Sequence, residues 1–285
     1  MTNEKYNYCL GHLFSPKILN DYASLAENDF FSNTINESKF MSRFDGPITY
    51  LKLFDELYAY LKSNYRNEYV YKNAIADKIL LGRHSVNTST LLTEFRVGSS
   101  KADVIVINGT STVYEIKTEF DKLDRLQNQI NAYLKVFDKI FVVTHVSKVA
   151  QVLALVPPQI GVIELTDCYT LRVIRSAESN IENVSPASIF DVLRKGEYCQ
   201  IIEEEFSCVP DVPNTRIYKA AKEMFVKLSP ERAHEKMVLM LQKRKMDKDF
   251  ILKMPKSLKH AGFTMNVKRT EQDQFFSFLD KRVGV

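Results

Sequence analysis

A turn signal between two strongly β-forming segments is the feature that most constrains the fold of this chain. Residues 102–107 read ADVIVI and residues 111–117 read STVYEIK, and both are rich in β-branched side chains that favour strands. Between them, Asn108-Gly109-Thr110 is typical of a three-residue hairpin loop in which Gly109 supplies a positive φ. The pattern therefore predicts an antiparallel hairpin in which Ile107 faces Ser111.

Counting back along this hairpin places two acidic residues opposite each other, Asp103 on the first strand and Glu115 on the second. Directly opposed Cβ atoms on neighbouring strands are roughly 5 Å apart. Strand alternation also sends Glu115 and Lys117 to the same face. Because two carboxylates this close repel each other, the pattern predicts a bound cation, and carboxylate oxygens suit Mg²⁺ or Mn²⁺. The lysine could position the water that such a site activates.

The flanking segments extend the hairpin into an α/β core. Residues 91–97 predict a preceding strand that carries Glu94, and residues 139–144 predict a buried strand. Between these, residues 121–137 have apolar side chains at helical spacing. On that predicted helix, one row at four-residue spacing holds Arg125, Gln129 and Tyr133.

This arrangement resembles the PD-(D/E)XK nuclease superfamily, which includes restriction endonucleases, Holliday-junction resolvases and RecB-type exonucleases. The resemblance lies in Glu94, Asp103 and Glu115-Ile116-Lys117, and in residues 129–133, which look like the Q-x-x-x-Y helix of the RecB-like branch. It covers roughly residues 66–175. It implies a restriction-endonuclease-like α/β core, with a mixed central sheet flanked by helices and with added N- and C-terminal helical regions.

The resemblance also implies a role for each matching residue. Asp103, Glu115 and Glu94 would bind the metal, Lys117 would act on the attacking water, and Gln129 would steady the scissile region. Contacts with the substrate would come from Gln129, Tyr133, Arg125 and Lys101.

One position departs from the family pattern, and one role in that pattern has two candidates. The residue before Asp103 is Ala102 rather than proline. The additional acidic residue of the family could be Glu94 or Glu68, and Glu94 is favoured because its strand neighbours that of Asp103.

The composition predicts a globular protein in the cytoplasm. The chain has 285 residues, of which 45% are hydrophobic, enough to fill a core. It contains no apolar run of about 18 residues and no signal-peptide pattern at its N-terminus. The cysteines and histidines lack the spacing of a metal site. Among the histidines (His12, His84, His145, His234 and His260), His145 is the best candidate for function because it follows a predicted core strand.

The net charge of +4 is distributed unevenly. From Asp211 onward the chain has 17 Lys and Arg against 9 Asp and Glu, so a phosphate-binding surface is expected towards this end. The alternative is that Lys243-Arg244-Lys245 and its neighbours form only a solvated helix face. The expected regions are an N-terminal helical region (1–65), a nuclease-like core (66–209) and a basic C-terminal helical region (210–285).

Two functional hypotheses follow. The first is a metal-dependent nuclease with DNA as the favoured substrate. The second is a catalytically silent nuclease-like scaffold that binds nucleic acid or a protein partner, for example in phage defence or a mobile element. Either kind of protein could form a homo-oligomer. Binding of a divalent metal discriminates between the two hypotheses.

Overall fold

The computed structural model describes residues 4–82, 88–244 and 246–283, so the predictions on His84 and Lys245 lie outside the described residues. Within these ranges the chain forms α-helices and a single β-sheet. The helices are α1 (Asn7–His12), α2 (Pro16–Ala23), α3 (Asp29–Glu37), α4 (Tyr50–Asn64), α5 (Glu68–Ile75), α6 (Leu126–Tyr133), α7 (Val149–Leu155), α8 (Pro186–Val192), α9 (Lys195–Phe206), α10 (Asn214–Phe225), α11 (Pro230–Gln242), α12 (Lys248–Lys253), α13 (Ala261–Thr264) and α14 (Arg269–Leu279). The strands are β1 (Thr90–Val97), β2 (Ser100–Ile107), β3 (Ser111–Lys117), β4 (Lys139–Thr144), β5 (Gly161–Leu165) and β6 (Leu171–Arg175).

The six strands form one mixed sheet in sequence order. Strands β1, β2 and β3 are antiparallel neighbours, β3, β4 and β5 run parallel, and β6 is antiparallel to β5. Helices α6 and α7 connect the parallel strands, as crossover connections require. The predicted α/β class with a mixed central sheet and helices is confirmed.

The register of the β2–β3 hairpin is the predicted one. Ile107 pairs with Ser111, and the pairing continues to Val104 and Tyr114. Gly109 has a φ of +68°, which suits the turn because glycine lacks the Cβ that penalises this conformation. The next step along the ladder brings Asp103 beside the end of β3.

Contacts within the chain divide it into two compact units. The first comprises Met1–Gly82, Asp167–Tyr169 and Asp247–Val285, and the second comprises Arg83–Thr166 and Thr170–Met246. This grouping differs from the three consecutive regions expected from the sequence, since it combines the two ends of the chain in one unit and assigns residues 66–82 to it.

Hydrogen bonds explain why α5 groups with the C-terminal segment. Tyr69 donates its hydroxyl to the carbonyl of Ser257 at 2.7 Å, and the Asn73 amide donates to the carbonyl of Lys256 at 2.8 Å. Residues 48–50 also form a β-bridge with residues 281–283, in which Val283 N–H donates to the Ile48 carbonyl at 2.8 Å. The first unit therefore depends on both ends of the chain.

The hydrophobic core of the second unit lies between one face of the sheet and its helices. Strand residues Ile105 and Val113 pack with Ile130 of α6, Phe190 of α8 and Phe225 of α10. On the opposite face, Tyr114 stacks on Phe141 with ring centroids 5.6 Å apart. Among the helices in the described part of the chain, none is long and apolar enough to cross a membrane.

Candidate functional site

The carboxylate of Glu115 is the centre of a hydrogen-bond network at the end of β3. Its side chain is only 1% exposed. Oε1 accepts from Lys117 Nζ at 2.7 Å and from Gln129 Nε2 at 2.6 Å, and Oε2 accepts from the Tyr133 hydroxyl at 2.8 Å. A carboxylate is costly to bury unless it is paired and hydrogen-bonded, so these three donors make the burial of Glu115 possible.

Lys117 and Gln129 also hold each other. The Lys117 side chain is 11% exposed, and its Nζ donates to Gln129 Oε1 at 2.9 Å. The Gln129 amide therefore donates to Glu115 with its nitrogen and accepts from Lys117 with its oxygen. The Thr144 hydroxyl on neighbouring β4 donates to the Lys117 carbonyl at 2.7 Å, which anchors the end of β3. The sequence analysis missed Thr144, although its position at the end of a predicted strand was a usable signal.

Tyr133 closes the buried side of the network. Its hydroxyl lies 2.8 Å from Glu115 Oε2 and 3.0 Å from the carbonyl of Lys101, and its single hydrogen can serve only one of them at a time. Burial, together with the charge of Glu115, raises the pKa of Tyr133 well above its usual range. The side chain is fully buried. Tyr133 is therefore a neutral donor that supports the carboxylate.

Two further acidic residues lie near this network, Asp103 on β2 and Glu94 on β1. The backbone N–H of Ile116 donates to Asp103 Oδ2 at 2.7 Å, which fixes Asp103 to β3 one residue from Glu115. A carboxylate oxygen of Glu94 lies within 4.8 Å of one of Asp103. Glu94 has a φ of +54°, a left-handed conformation that is strained for a residue with a side chain.

The loop before α6 explains why this helix is shorter than predicted. Asp121 Oδ2 accepts from both the N–H and the hydroxyl of Thr118, at 2.7 Å each, and Lys148 Nζ donates to the Asp121 carbonyl at 2.6 Å. These bonds hold a turn, so α6 begins at Leu126 rather than at Asp121. Gln129 and Tyr133 nevertheless lie on the predicted common face, since both contact Glu115.

The structure thus brings together Glu115, Lys117, Gln129 and Tyr133, with Asp103 attached beside them. Lys101 is half-exposed and forms an ion pair with Glu94. Arg125 is exposed at the start of α6.

The remaining candidates differ in their partners and exposure. Glu68 belongs to α5 in the first unit, where it pairs with Lys72. His145 is half-buried, and its Nδ1 lies 2.9 Å from Ser147 Oγ. In the predicted basic face, Lys243 is exposed but Arg244 is directed inward, with two bonds of 2.8 Å to Glu197 and its guanidinium over the ring of Phe95. Arg244 therefore has a structural role.

The donor set fits a hard divalent cation in part. Two oxygens bound to one Mg²⁺ at about 2.1 Å lie at most about 4.2 Å apart, and the Glu94 and Asp103 oxygens are close to or within that span. Within the described ranges, Glu115 is not within 4.8 Å of both Glu94 and Asp103. It would complete the ligand set only by exchanging one of its present donors for the metal.

A six-stranded mixed sheet with a carboxylate, lysine and glutamine network at the end of a central strand defines an α/β protein with a polar site on its sheet. The chain belongs to the family of bacteriophage P4 protein cII, whose model matches residues 61–263 and so spans every residue of this site. Protein cII of Enterobacteria phage P4 is 23% identical over 199 residues, which are 68% of this chain and 69% of that protein. Among solved structures, a protein of unknown function from Silicibacter pomeroyi matches 47% of this chain and 88% of its own, with 17% identity and a TM-score of 0.32.

Proposed function

We propose that this chain is a metal-dependent nuclease that hydrolyses phosphodiester bonds, with DNA as the favoured substrate. The observation that carries the proposal is the convergence of Lys117, Gln129 and Tyr133 on the buried carboxylate of Glu115, beside Asp103. Buried networks of ionisable groups held in one geometry are typical of functional sites. The same residues carry the resemblance to the PD-(D/E)XK nucleases.

Each side chain of the network has a proposed role in hydrolysis. The Lys117 ammonium has three N–H groups, and two of them donate to Glu115 and Gln129. The third is therefore available for the attacking water or a phosphate oxygen. Gln129 keeps the ammonium in place, and Tyr133 fixes the far oxygen of Glu115. Asp103, Glu94 and Glu115 would hold Mg²⁺ or Mn²⁺, which would supply Lewis-acid polarisation of the phosphoryl group.

Substrate contacts are proposed for the exposed cations near the site. Lys101 and Arg125 are both accessible, and such residues bind phosphates without reading the base sequence. Target choice would then come from other surfaces, from a protein partner or from a second copy of the chain.

The decisive test is cleavage by an isosteric variant of Asp103. The purified protein is incubated with Mg²⁺ or Mn²⁺ and with linear, circular, single-stranded and branched DNA. Asp103→Asn keeps an oxygen for the Ile116 N–H but removes the charge, so we expect cleavage to fall by about 100-fold or more, as for the loss of one strong electrostatic contribution. EDTA should abolish cleavage by the wild type.

Asp124→Asn is the matched control, because Asp124 is an exposed carboxylate on the loop before α6. It should cut at the wild-type rate. Equal rates for Asp103→Asn and the wild type would contradict the assignment.

The scaffold hypothesis is supported by one specific observation. Both Glu115 and Glu94 are already paired with lysines, Lys117 and Lys101, so these carboxylates are neutralised without a metal. Calorimetric titration with Mn²⁺ separates the two functions. Binding that is lost in Asp103→Asn supports the nuclease, whereas absence of binding to the wild type supports the scaffold.

A further inference from the structure

A second polar site lies at the opposite end of β3 from Glu115 and Lys117. It is an open cavity of about 670 Å³. Its wall combines the β2–β3 turn, the residues that precede and begin β4, the segment near Ser179, and one face of α11. The nuclease proposal uses none of these residues.

Asp138 forms the buried floor of this cavity and is fully occupied. Its Oδ1 accepts from the Ser179 hydroxyl at 2.5 Å and from the Asn180 N–H at 3.1 Å, and its Oδ2 accepts from the Thr110 hydroxyl at 2.7 Å. Burial alone would raise the pKa of Asp138, but these three donors hold it below its usual range. The floor of the cavity therefore carries a negative charge.

His234 contributes a buried ring whose tautomer can be derived. The residue is 3% exposed, it lines the cavity, and its Nε2 lies 2.7 Å from Ser111 Oγ. Ser111 Oγ already accepts from the Asp138 N–H at 3.1 Å. Because Ser111 is fully buried, and no other acceptor for its hydroxyl hydrogen is found among the described residues, Ser111 donates to Nε2.

That assignment places the imidazole hydrogen of His234 on Nδ1. Burial lowers the pKa of His234, so the ring is neutral and has one N–H. Within the described ranges, Nδ1 has no hydrogen-bond partner. Nδ1 is not one of the fully buried side-chain atoms without a partner, so its N–H reaches the open cavity, where a ligand oxygen could accept it in place of water.

The charges around the cavity favour a cationic ligand. Three carboxylates line it, from Asp138, Glu231 and Glu235, against one ammonium, from Lys139. Glu231 and Glu235 are one helical turn apart on α11 and both are exposed. Glu235 also pairs with Arg232 at 2.7 Å, whereas Glu231 lies in the first turn of α11.

We infer that this cavity binds a small organic cation in which an amine or guanidinium group lies a few bonds from an oxygen acceptor. The cationic group would lie against Glu231 and Glu235, and the oxygen would accept from His234 Nδ1–H. The inference is independent of nuclease activity, since it concerns the other end of β3.

Two ligands that differ in the acceptor test this inference by calorimetry. Argininamide has a guanidinium, an amine and an amide oxygen, whereas agmatine has the guanidinium and an amine without that oxygen. We expect the full chain to bind argininamide about fivefold more tightly than agmatine, the usual worth of one neutral hydrogen bond. Both affinities should weaken with added salt.

Variants at His234 separate the ligand contact from the structural contact. His234→Gln keeps a polar atom near the Nε2 position for Ser111 and removes Nδ1, so the preference for argininamide should disappear while the circular dichroism spectrum is unchanged. The double variant Glu231→Gln with Glu235→Gln should weaken both ligands. Glu203→Gln, an exposed glutamate on α9, is the matched control and should change neither affinity.

Three outcomes would overturn the inference. The first is that the wild type binds neither ligand at tens of millimolar. The second is that His234→Gln keeps the full preference for argininamide. The third is a nitrogen NMR spectrum that places the His234 hydrogen on Nε2, which would make Nδ1 an acceptor. The NMR measurement remains informative even if a variant is unstable.

Discussion

Two buried carboxylates, Glu115 and Asp138, lie near opposite ends of the same part of the sheet and are satisfied in different ways. Asp138 accepts only from neutral donors, namely two hydroxyls and a backbone N–H. Glu115 accepts from an ammonium, an amide and a phenol. The neutral donors of Asp138 join three chain segments, whereas the donors of Glu115 include the ammonium of Lys117, which under the proposed function would contact the attacking water or a phosphate oxygen.

The comparison shows that burial alone does not mark a functional carboxylate. Both side chains are nearly inaccessible, and the identity of the donors distinguishes them. We therefore expect substitutions at Asp138 to act on stability and those around Glu115 to act on activity.

The largest expected effect is the loss of cleavage in Lys117→Ala. If Lys117 orients the attacking water, its removal should lower the cleavage rate by about 100- to 1,000-fold, in the range of a lost electrostatic or acid–base contribution. The measurement is a single-turnover assay on the preferred DNA substrate. Lys122→Ala, which removes an exposed lysine on the following loop, should retain activity. A wild-type cleavage rate for Lys117→Ala would contradict the expectation that the residues around Glu115 act on activity.

The next effect is on stability at Asp138. Asp138→Ala leaves the hydroxyls of Thr110 and Ser179 without their acceptor, while the Asn180 N–H keeps the Asp138 carbonyl, so the free energy of unfolding should fall by about 3 kcal/mol. Glu115→Gln keeps one acceptor oxygen but leaves the nearly buried ammonium of Lys117 without its counter-charge, so it should cost about 2 kcal/mol. Urea denaturation measures both values. A larger loss of unfolding free energy in the Glu115 variant than in the Asp138 variant would contradict the expectation that Asp138 is the more important of the two for stability.

The pH dependence of stability provides a sharper test at the Asp138 end. Because the pKa of His234 is lowered in the folded state from 6.5, the unfolded chain takes up a proton first as the pH falls. The stability that neutral His234 provides is therefore complete above about pH 6.5 and is lost below it, by at most about 1.4 kcal/mol per pH unit.

This loss should be absent from His234→Gln. Urea midpoints of the wild type and the variant are compared at about pH 7.5 and about pH 5.5. The groups that face His234, including Asp138, Glu231, Glu235 and Lys139, are common to both proteins, so their titration largely cancels. An equal change in the urea midpoint of both proteins between the two pH values would show that the pKa of His234 is the same in the folded and unfolded states.

The smallest effect concerns the backbone of Glu94. Glycine tolerates a φ of +54° without the penalty of a Cβ, although it loses more entropy on folding, so Glu94→Gly should stabilise the protein by about 0.5 kcal/mol. Cleavage should fall, because a proposed metal ligand is removed. Ser207→Gly at the C-cap of α9, where φ is +57°, should give a similar gain in stability with unchanged cleavage. A loss of stability in Glu94→Gly would show that the Glu94 side chain contributes more than its backbone costs.

The local part of this structure was predictable. The turn at Asn108 to Thr110 fixes the hairpin, since Gly109 can adopt the required φ and the alternating apolar residues specify the register. The bounds of β3 and β4 also agree with the prediction, because both are short runs rich in β-branched residues. The common face of Gln129 and Tyr133 follows from helical spacing, so the network around Glu115 could be anticipated from short-range patterns.

Long-range contacts could not be predicted. Ser111 and His234 are 123 positions apart, and no spacing rule connects them. The beginning of α6 is predicted too early because the apolar periodicity begins at Leu123, before the helix itself, while the bonds from Thr118 to the Asp121 carboxylate decide the local conformation. Likewise, the contacts of Tyr69 and Asn73 with residues 256–257 group α5 with the first unit, and the sequence of α5 alone contains no sign of them.

The bridge between residues 48–50 and 281–283 has a consequence for synthesis on the ribosome. Residues 83–246 emerge with nearly everything that the sheet and its helices need, whereas the N-terminal helices must wait for the last stretch of the chain before their unit can close. We therefore expect the helices of residues 4–82, although they are translated before the sheet, to complete their unit only after it.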